Sequence, residues 1–213
     1  MTERGMIFNG EMVRAILDGR KTQTRRPVKF PVHDKNLGCE LSGNELAGEL
    51  SAGNYLNSAF GKPSDRIWVR ETWARYNIDQ NSHDIAYRAT TPADWPEEGR
   101  WRPSIHMPRW ASRILLEITD VRVERLNAIS EEDAQREGVH TEVWDQTVVA
   151  RNYAARDEFF QFWSEDMPHY VEMNQLYRSS FRSLWESIYG AENWLANPWV
   201  WVIEFKHVEG GAA

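Results

Sequence analysis

The stretch that decides the fold is Arg113-Ile-Leu-Leu-Glu-Ile-Thr-Asp-Val-Arg-Val-Glu-Arg125. Apolar residues alternate from Ile114 to Ile118, as in a β-strand that buries one face. The alternation continues from Val121 to Val123 in the opposite phase, and such a shift by one residue is typical of a β-bulge or a sharp bend. The stretch therefore predicts one long strand that is bent near its middle.

Short helices and further strands surround this strand in the sequence. Asn9 is a favourable N-cap for a helix over 10–18, and Gly19 stands where a left-handed C-cap belongs. Ser130 and Asp133 resemble a capping box that opens a helix over 131–137. The remaining patterns predict strands over 6–8, 66–73, 84–89 and 198–205, and helices over 154–165 and 174–189.

Strands that are scattered among short helices, with one near each end of the chain, favour an α+β fold over a doubly wound sheet. We expect a single domain over residues 1–213, in which strands near both ends meet and close a mixed β-barrel flanked by short helices. Residues 31–65 are rich in Gly, Ser, Asn and Asp without a sustained period, which predicts an insertion or a long loop.

Charge and composition exclude several classes of function. The net charge of −7 argues against coating long duplex DNA through phosphate contacts, although it leaves room for a local basic pocket. Eleven tryptophans are present, and they fit either core packing or stacking on bases. Cys39 is the only cysteine, and no apolar run is long enough for a signal peptide or a bilayer span, so we expect a cytoplasmic protein without membrane contact.

Metal and cofactor motifs are weak or missing in the sequence. Glu137 and His140 have a spacing that metal sites use, but no second copy accompanies them, so we expect no metal. The sequence has neither a Walker-A loop nor a dinucleotide-binding fingerprint, and we expect no cofactor.

A basic block stands out in this acidic chain. Residues 14–29 contain six Lys and Arg side chains against one carboxylate, Asp18. The block fits an ordinary solvated helix end, where cations complement the helix dipole. It also fits a functional site, because Lys21 and Thr24 follow directly after a helix that ends at glycine. A partly desolvated, neutral lysine beside a threonine hydroxyl is one way to activate a nucleophile.

The block Gly19-Arg20-Lys21-Thr22-x-Thr24-x-Arg26 resembles the signature of the ASCH domain, a PUA-like β-barrel family. It is especially similar to the small bacterial members that hydrolyse acetylated cytidine. Residues 130–137 resemble the family's short acidic helix, and residues 202–206 resemble its closing strand. The resemblance implies Lys21 as proton acceptor, Thr24 as nucleophile and Glu137 as proton donor. We therefore expect the three side chains to converge on one pocket, with the Lys21 amine and the Glu137 carboxyl in direct or one-water contact.

The chain is about twice as long as these minimal enzymes, and the resemblance implies insertions at about 31–65, 76–110 and 141–195. The longer form is similar to ASCH proteins of bacteriophage and prophage genomes, for which the resemblance implies no settled activity. Added segments could cap the pocket, change its substrate or turn a catalytic site into a binding site.

A second stretch, 101–113, interleaves basic and aromatic side chains. Arg102, His106, Arg109 and Trp110 fit contacts to single-stranded bases and phosphates, or equally a proline-constrained loop that packs on the barrel end. With Arg20 and Arg26 they form the predicted binding set. The carboxylate of Glu71 could contact a base amino group or pair with Arg70 or Arg113, and we expect the pairing.

Two classes of function follow from these patterns. The first is a nucleoside or base pocket, in particular an amidohydrolase on N-acylated cytidine that acts by acid–base or nucleophilic chemistry. The second is a non-catalytic RNA-binding module, or a ribonuclease, that uses the same cleft. The expected partners are accordingly a modified nucleoside or single-stranded RNA.

Overall fold

The strand predicted over 113–125 spans Leu115–Arg125 in the computed structural model of the protein. The structure describes residues 1–75, 84–96, 99–145, 147–155, 158–161 and 175–208. The buried side chains of this strand change phase as predicted, from Leu116 and Ile118 to Val121 and Val123.

The described residues form twelve strands and five α-helices, joined in part by 3-10 turns. The strands are β1 (Glu3–Ile7), β2 (Gln23–Pro27), β3 (Val32–His33), β4 (Glu40–Leu41), β5 (Arg66–Arg70), β6 (Trp73–Arg75), β7 (Ile85–Tyr87), β8 (Leu115–Arg125), β9 (Thr141–Trp144), β10 (Thr147–Asn152), β11 (Glu158–Phe160) and β12 (Trp199–Val208). The helices are α1 (Gly10–Leu17), α2 (Gly43–Ser51), α3 (Glu131–Arg136), α4 (Leu176–Tyr189) and α5 (Ala191–Leu195). The fold class is therefore α+β, as predicted.

Five strands form the main sheet in the order β1-β5-β8-β12-β2. β1 runs parallel to β5, whereas β5 is antiparallel to β8 and β12 is antiparallel to β2. β2 ends at Pro27 and lies at an edge, where a residue without an amide hydrogen is tolerated. No pairing between the described strands closes this sheet, so the barrel stays a prediction.

The chain divides into two compact units built from discontinuous segments. The first unit contains Met1–Gly19, Pro63–Thr119 and Phe205–Ala213, and the second contains Arg20–Lys62 and Asp120–Glu204. The division falls in β8 at the position where the buried side chains change phase. None of the described helices combines the length and the apolar character needed to cross a membrane.

Two local predictions were wrong. The helix predicted over 154–165 is replaced by β11, because Phe160 pairs with Ala150 of β10; residues 156–157 and 162–165 lie outside the described part. Residues 31–65, predicted as an insertion or a long loop, contain α2, which begins at a capping box between Ser42 and Glu45, so the long-loop alternative was wrong and the insertion stays a prediction. Helices α1, α3 and α4 confirm three of the predicted helices to within two residues at each end.

Candidate functional site

Lys21 and Glu137 meet inside the second unit. The Lys21 Nζ lies 3.0 Å from Glu137 Oε2 and donates a second hydrogen bond of 2.7 Å to the Glu137 backbone carbonyl. The side chains are 0% and 3% exposed. The direct contact between this amine and this carboxylate is thus confirmed, and their catalytic roles stay a prediction.

Local chain geometry places both residues. Gly19 has φ 72°, so the chain turns sharply after α1 and leaves Lys21 just before β2. Glu137 is the C-cap residue of α3, whose N-cap Ser130 accepts a hydrogen bond from the Asp133 amide. The Thr22 amide donates to the carbonyl at the end of α3, which joins the two segments beside the pair.

Arg25 holds the other side of the Glu137 carboxylate. Its Nη1 lies 3.0 Å from Glu137 Oε1, and its Nη2 lies 2.6 Å from Glu124 and 3.0 Å from Asp133. Arg122 contacts Asp133 at 3.0 Å as well and so extends the chain of ion pairs. We call the three buried members, Lys21, Arg25 and Glu137, the buried charge network. Partly exposed ion pairs extend it to Arg122, Glu124, Asp133 and Glu204.

Burial dominates the proton affinity of Lys21. Removal from water lowers the pKa of the amine, while the charge and the hydrogen bond of Glu137 act in the opposite direction. A lysine of this kind gives up its proton more readily than a solvated one, which acid–base chemistry requires. The same burial keeps substrates away from the amine in this conformation.

Thr24 does not share the contact between Lys21 and Glu137. Side chains of a strand alternate between its two faces, and Arg25 of β2 points toward Glu137. Thr24 therefore faces the opposite side, in register with Ile203 of β12. The structure thus brings together two residues of the predicted catalytic set and directs the third to the other face of the sheet.

A cavity of about 460 Å³ opens on the second unit, on the face of β2 that carries Thr24. Arg26 lines it, two residues from Thr24 and on the same face of the strand. Phe60 and Trp201 meet edge to face in its wall, with ring centroids 5.8 Å apart. We call this the aromatic cavity; its other lining residues include Lys29, Asn57 and Tyr189.

The Arg20 side chain donates hydrogen bonds to backbone carbonyls of the second unit. Its Nη1 donates to the carbonyls of Gly138 and Val139 at 3.3 and 3.4 Å, directly after the end of α3. These bonds hold the chain that follows Glu137. A role of Arg20 in ligand binding stays a prediction.

The remaining predicted binding residues lie in the first unit. Arg102 lies over the ring of Trp73 at 5.3 Å, and Trp110 packs edge to face on the same ring at 5.7 Å. Trp110 is 46% exposed, so it combines packing with an accessible face.

Arg109 and His106 have different surroundings. Arg109 donates to Glu3 at 2.9 Å, and His106 is exposed in a short 3-10 turn. A cleft shared by these first-unit residues with Arg20 and Arg26 stays a prediction.

Glu71 pairs with Arg113, one of its two predicted partners. The two N–H···O contacts measure 2.9 and 3.0 Å, and the carboxylate is 1% exposed. Burial is the largest influence on the pKa of Glu71 and raises it, against the opposing effect of Arg113.

Sequence reasoning missed Arg25 and the walls of the aromatic cavity. Arg25 belongs to the basic block, and its spacing of four from Lys21 places both side chains on one face of an extended segment. No sequence pattern indicated Phe60, because residues 31–65 show no sustained hydrophobic periodicity.

Within the described part of the chain, no group of three or more His, Cys, Asp or Glu side chains is arranged to hold a metal ion. Comparison of the chain with protein-family models, curated proteins and solved structures found no match.

Proposed function

We propose that this chain is an ASCH-type protein of the PUA-like class that binds a nucleoside, or a single base of a nucleic acid, in the aromatic cavity. The observation that carries the proposal is the combination of a cavity of about 460 Å³ with aromatic walls and the cations Arg26 and Lys29. Small-molecule sites usually measure about 300–1,000 Å³ and place few polar groups among apolar walls.

Aromatic side chains suit a base because every base has a π-face on which a ring can stack. Phe60 and Tyr189 are half-buried and offer ring surface to a ligand, while the buried Trp201 packs against Phe60 in the wall. An arginine beside such rings can stack on a base or contact a phosphate. The cavity therefore fits a planar, polar-edged ligand better than an aliphatic one.

The location of the ASCH-like block in the structure supports the same site. Arg26 is the last residue of the ASCH-like block, and it lines the aromatic cavity. The mixed sheet with short helices is compatible with a PUA-like barrel, which we retain as part of the proposal.

Equilibrium dialysis with cytidine, N4-acetylcytidine and adenosine tests the proposal. We expect binding of at least one nucleoside, weakened about tenfold or more by Phe60→Ala, since stacking contributes about 1–3 kcal/mol per base. Arg26→Ala should also weaken it. Arg136→Ala is the matched control, because Arg136 is 45% exposed and pairs with Glu132 outside the cavity. Absence of nucleoside binding at millimolar concentration would refute the proposal.

A second candidate function is hydrolysis of the amide of an N-acylated cytidine. The buried pair of Lys21 and Glu137 favours it, because a desolvated lysine beside a carboxylate suits proton transfer. Thr24 would attack the acyl carbon and pass its proton to neutral Lys21, while a protonated Glu137 would donate to the leaving amine, so that cytidine departs and the acyl group stays on Thr24. Water would then attack this ester, giving a proton to the Glu137 carboxylate as the Lys21 ammonium returns its proton to the Thr24 oxygen. This route requires a rearrangement that brings the Thr24 hydroxyl to the Lys21 side of β2.

Incubation with N4-acetylcytidine, followed by mass spectrometry, separates the two candidates. Deacylation that is lost in Thr24→Val, a variant of nearly the same shape, would support hydrolysis. Nucleoside binding without any deacylation would leave a binding protein and remove the second candidate.

A further inference from the structure

The first unit contains a cavity of its own, of about 530 Å³. It lies between the start of α1, the residues that follow β5, and the 3-10 turn at Arg88–Thr90. The Arg14 guanidinium donates to the Ala89 carbonyl at 3.1 Å and so ties α1 to this turn. We call it the first-unit cavity.

Glu71, whose carboxylate is buried, is one of the residues that line this cavity. Glu71 is 1% exposed, and Arg113 occupies one acceptor site on each of its two oxygens. An ionised carboxylate has about four lone-pair sites, so acceptor capacity remains for a ligand. Arg113 itself is held by Thr90 at 2.9 Å and stacks on Tyr87 at 4.0 Å, which fixes the carboxylate in place.

Two exposed cations complete the lining. Arg14 retains donors beyond the one bonded to Ala89. The side chain of Arg88 makes no hydrogen bond or ion pair with any other residue in the described ranges, although its backbone amide is bonded to Thr72. An arginine with all its donors available is suited to a phosphate or a carboxylate.

The lining carries both signs of charge. Arg14 and Arg88 stand against Glu71 and Glu11, and the Arg113 guanidinium bonded to Glu71 adds a third cation, so an anionic group on the ligand is favoured. Asn9 and Ser104 add neutral polar groups to the wall. A ligand that carries an anionic group at one end and N–H donors at the other satisfies both kinds of residue.

We propose that the first-unit cavity binds a small amphoteric molecule, whose phosphate or carboxylate contacts Arg14 and Arg88 and whose N–H donors contact Glu71. The proposal does not depend on nucleoside binding in the aromatic cavity, because it rests on other residues. A nucleoside monophosphate with an amino group and a zwitterionic peptide share the required chemistry.

Isothermal titration calorimetry of the full chain with adenosine monophosphate and, separately, with alanylalanine tests the proposal. We expect at least one probe to bind, and Arg88→Ala to weaken it about tenfold or more, since a charge-assisted hydrogen bond contributes about 1.5–3 kcal/mol. Arg88→Lys should recover part of the loss because it keeps the charge. Arg88 is exposed, so neither variant threatens the fold.

Two matched variants make the result specific. Arg100→Ala removes an exposed arginine outside the cavity and should leave the affinity unchanged. Arg26→Ala alters the aromatic cavity, so a probe that loses affinity there and not in Arg88→Ala binds to the other site. That result, or no binding of either probe at millimolar concentration, would overturn the proposal, whereas selective loss in Arg88→Ala would support it even if nucleosides fail to bind.

Discussion

Replacement of Glu137 by Gln probes the buried charge network most severely. The carboxylate is shared by Lys21 and Arg25, whose side chains are 0% and 1% exposed. Loss of one partner of a buried ion pair leaves an uncompensated charge and costs about 3–5 kcal/mol. We therefore expect the free energy of unfolding to fall by that amount in Glu137→Gln.

Lys21→Met should be less costly. Glu137 keeps its 3.0 Å contact with Arg25, and the burial of an amine is avoided. The main loss is the hydrogen bond to the Glu137 carbonyl, so we expect about 1–3 kcal/mol. The double variant should lower the free energy of unfolding by less than the sum of the two single variants. The reason is that the lysine charge left without a partner in Glu137→Gln is absent from the double variant.

Urea denaturation at pH 7, followed by far-UV circular dichroism, measures these differences. Glu132→Gln is the control, because its partner Arg136 is 45% exposed and such surface pairs contribute at most about 1 kcal/mol. A loss below about 1 kcal/mol in Glu137→Gln would show that the network does not stabilise this part of the fold. A larger loss in Lys21→Met than in Glu137→Gln would show the same.

Three further outcomes are expected. Because the pKa of Lys21 is lowered from 10.5 on folding, the unfolded state binds more protons between that lowered pKa and 10.5. The unfolding free energy of the wild type, relative to Lys21→Met, should rise with pH in this window, by at most about 1.4 kcal/mol per pH unit; a flat difference would contradict the lowered pKa. Asn9→Ala removes the side chain that accepts from the Met12 amide and should cost about 1 kcal/mol in urea denaturation, whereas an unchanged midpoint would refute the capping role. Fluorescence anisotropy should show weak binding of random duplex DNA that disappears with modest salt, given the net charge of −7; a salt-resistant complex would disprove this.

Strong local signals made much of the fold predictable. The alternation in β8 and the capped ends of α1 and α3 each depend on a few neighbouring residues. In contrast, α2 has only Leu46 and Leu50 as buried leucines, one turn apart, which is too short a pattern to show a period. β11 is a strand because of its partner β10, and a three-residue segment carries no sign of such pairing.

The candidate site was predictable only in part, for a geometric reason. The ASCH resemblance implied that Lys21 and Glu137 act together, and both residues lie at the ends of recognisable elements, so their approach could be expected. Lys21 and Thr24 are three residues apart, a spacing that places side chains together on a helix and on opposite faces of an extended segment. The pairing of β2 with β12 makes this segment extended and so places the two side chains on opposite faces. That pairing depends on residues about 180 positions away.

The most direct test of nucleoside binding is a crystal structure of the protein with N4-acetylcytidine at saturating concentration. We predict density for the base in the aromatic cavity, with its ring against Phe60 and a polar group within hydrogen-bond distance of Arg26. A ligand bound only in the first-unit cavity, or an aromatic cavity that stays empty at saturation, would contradict the account.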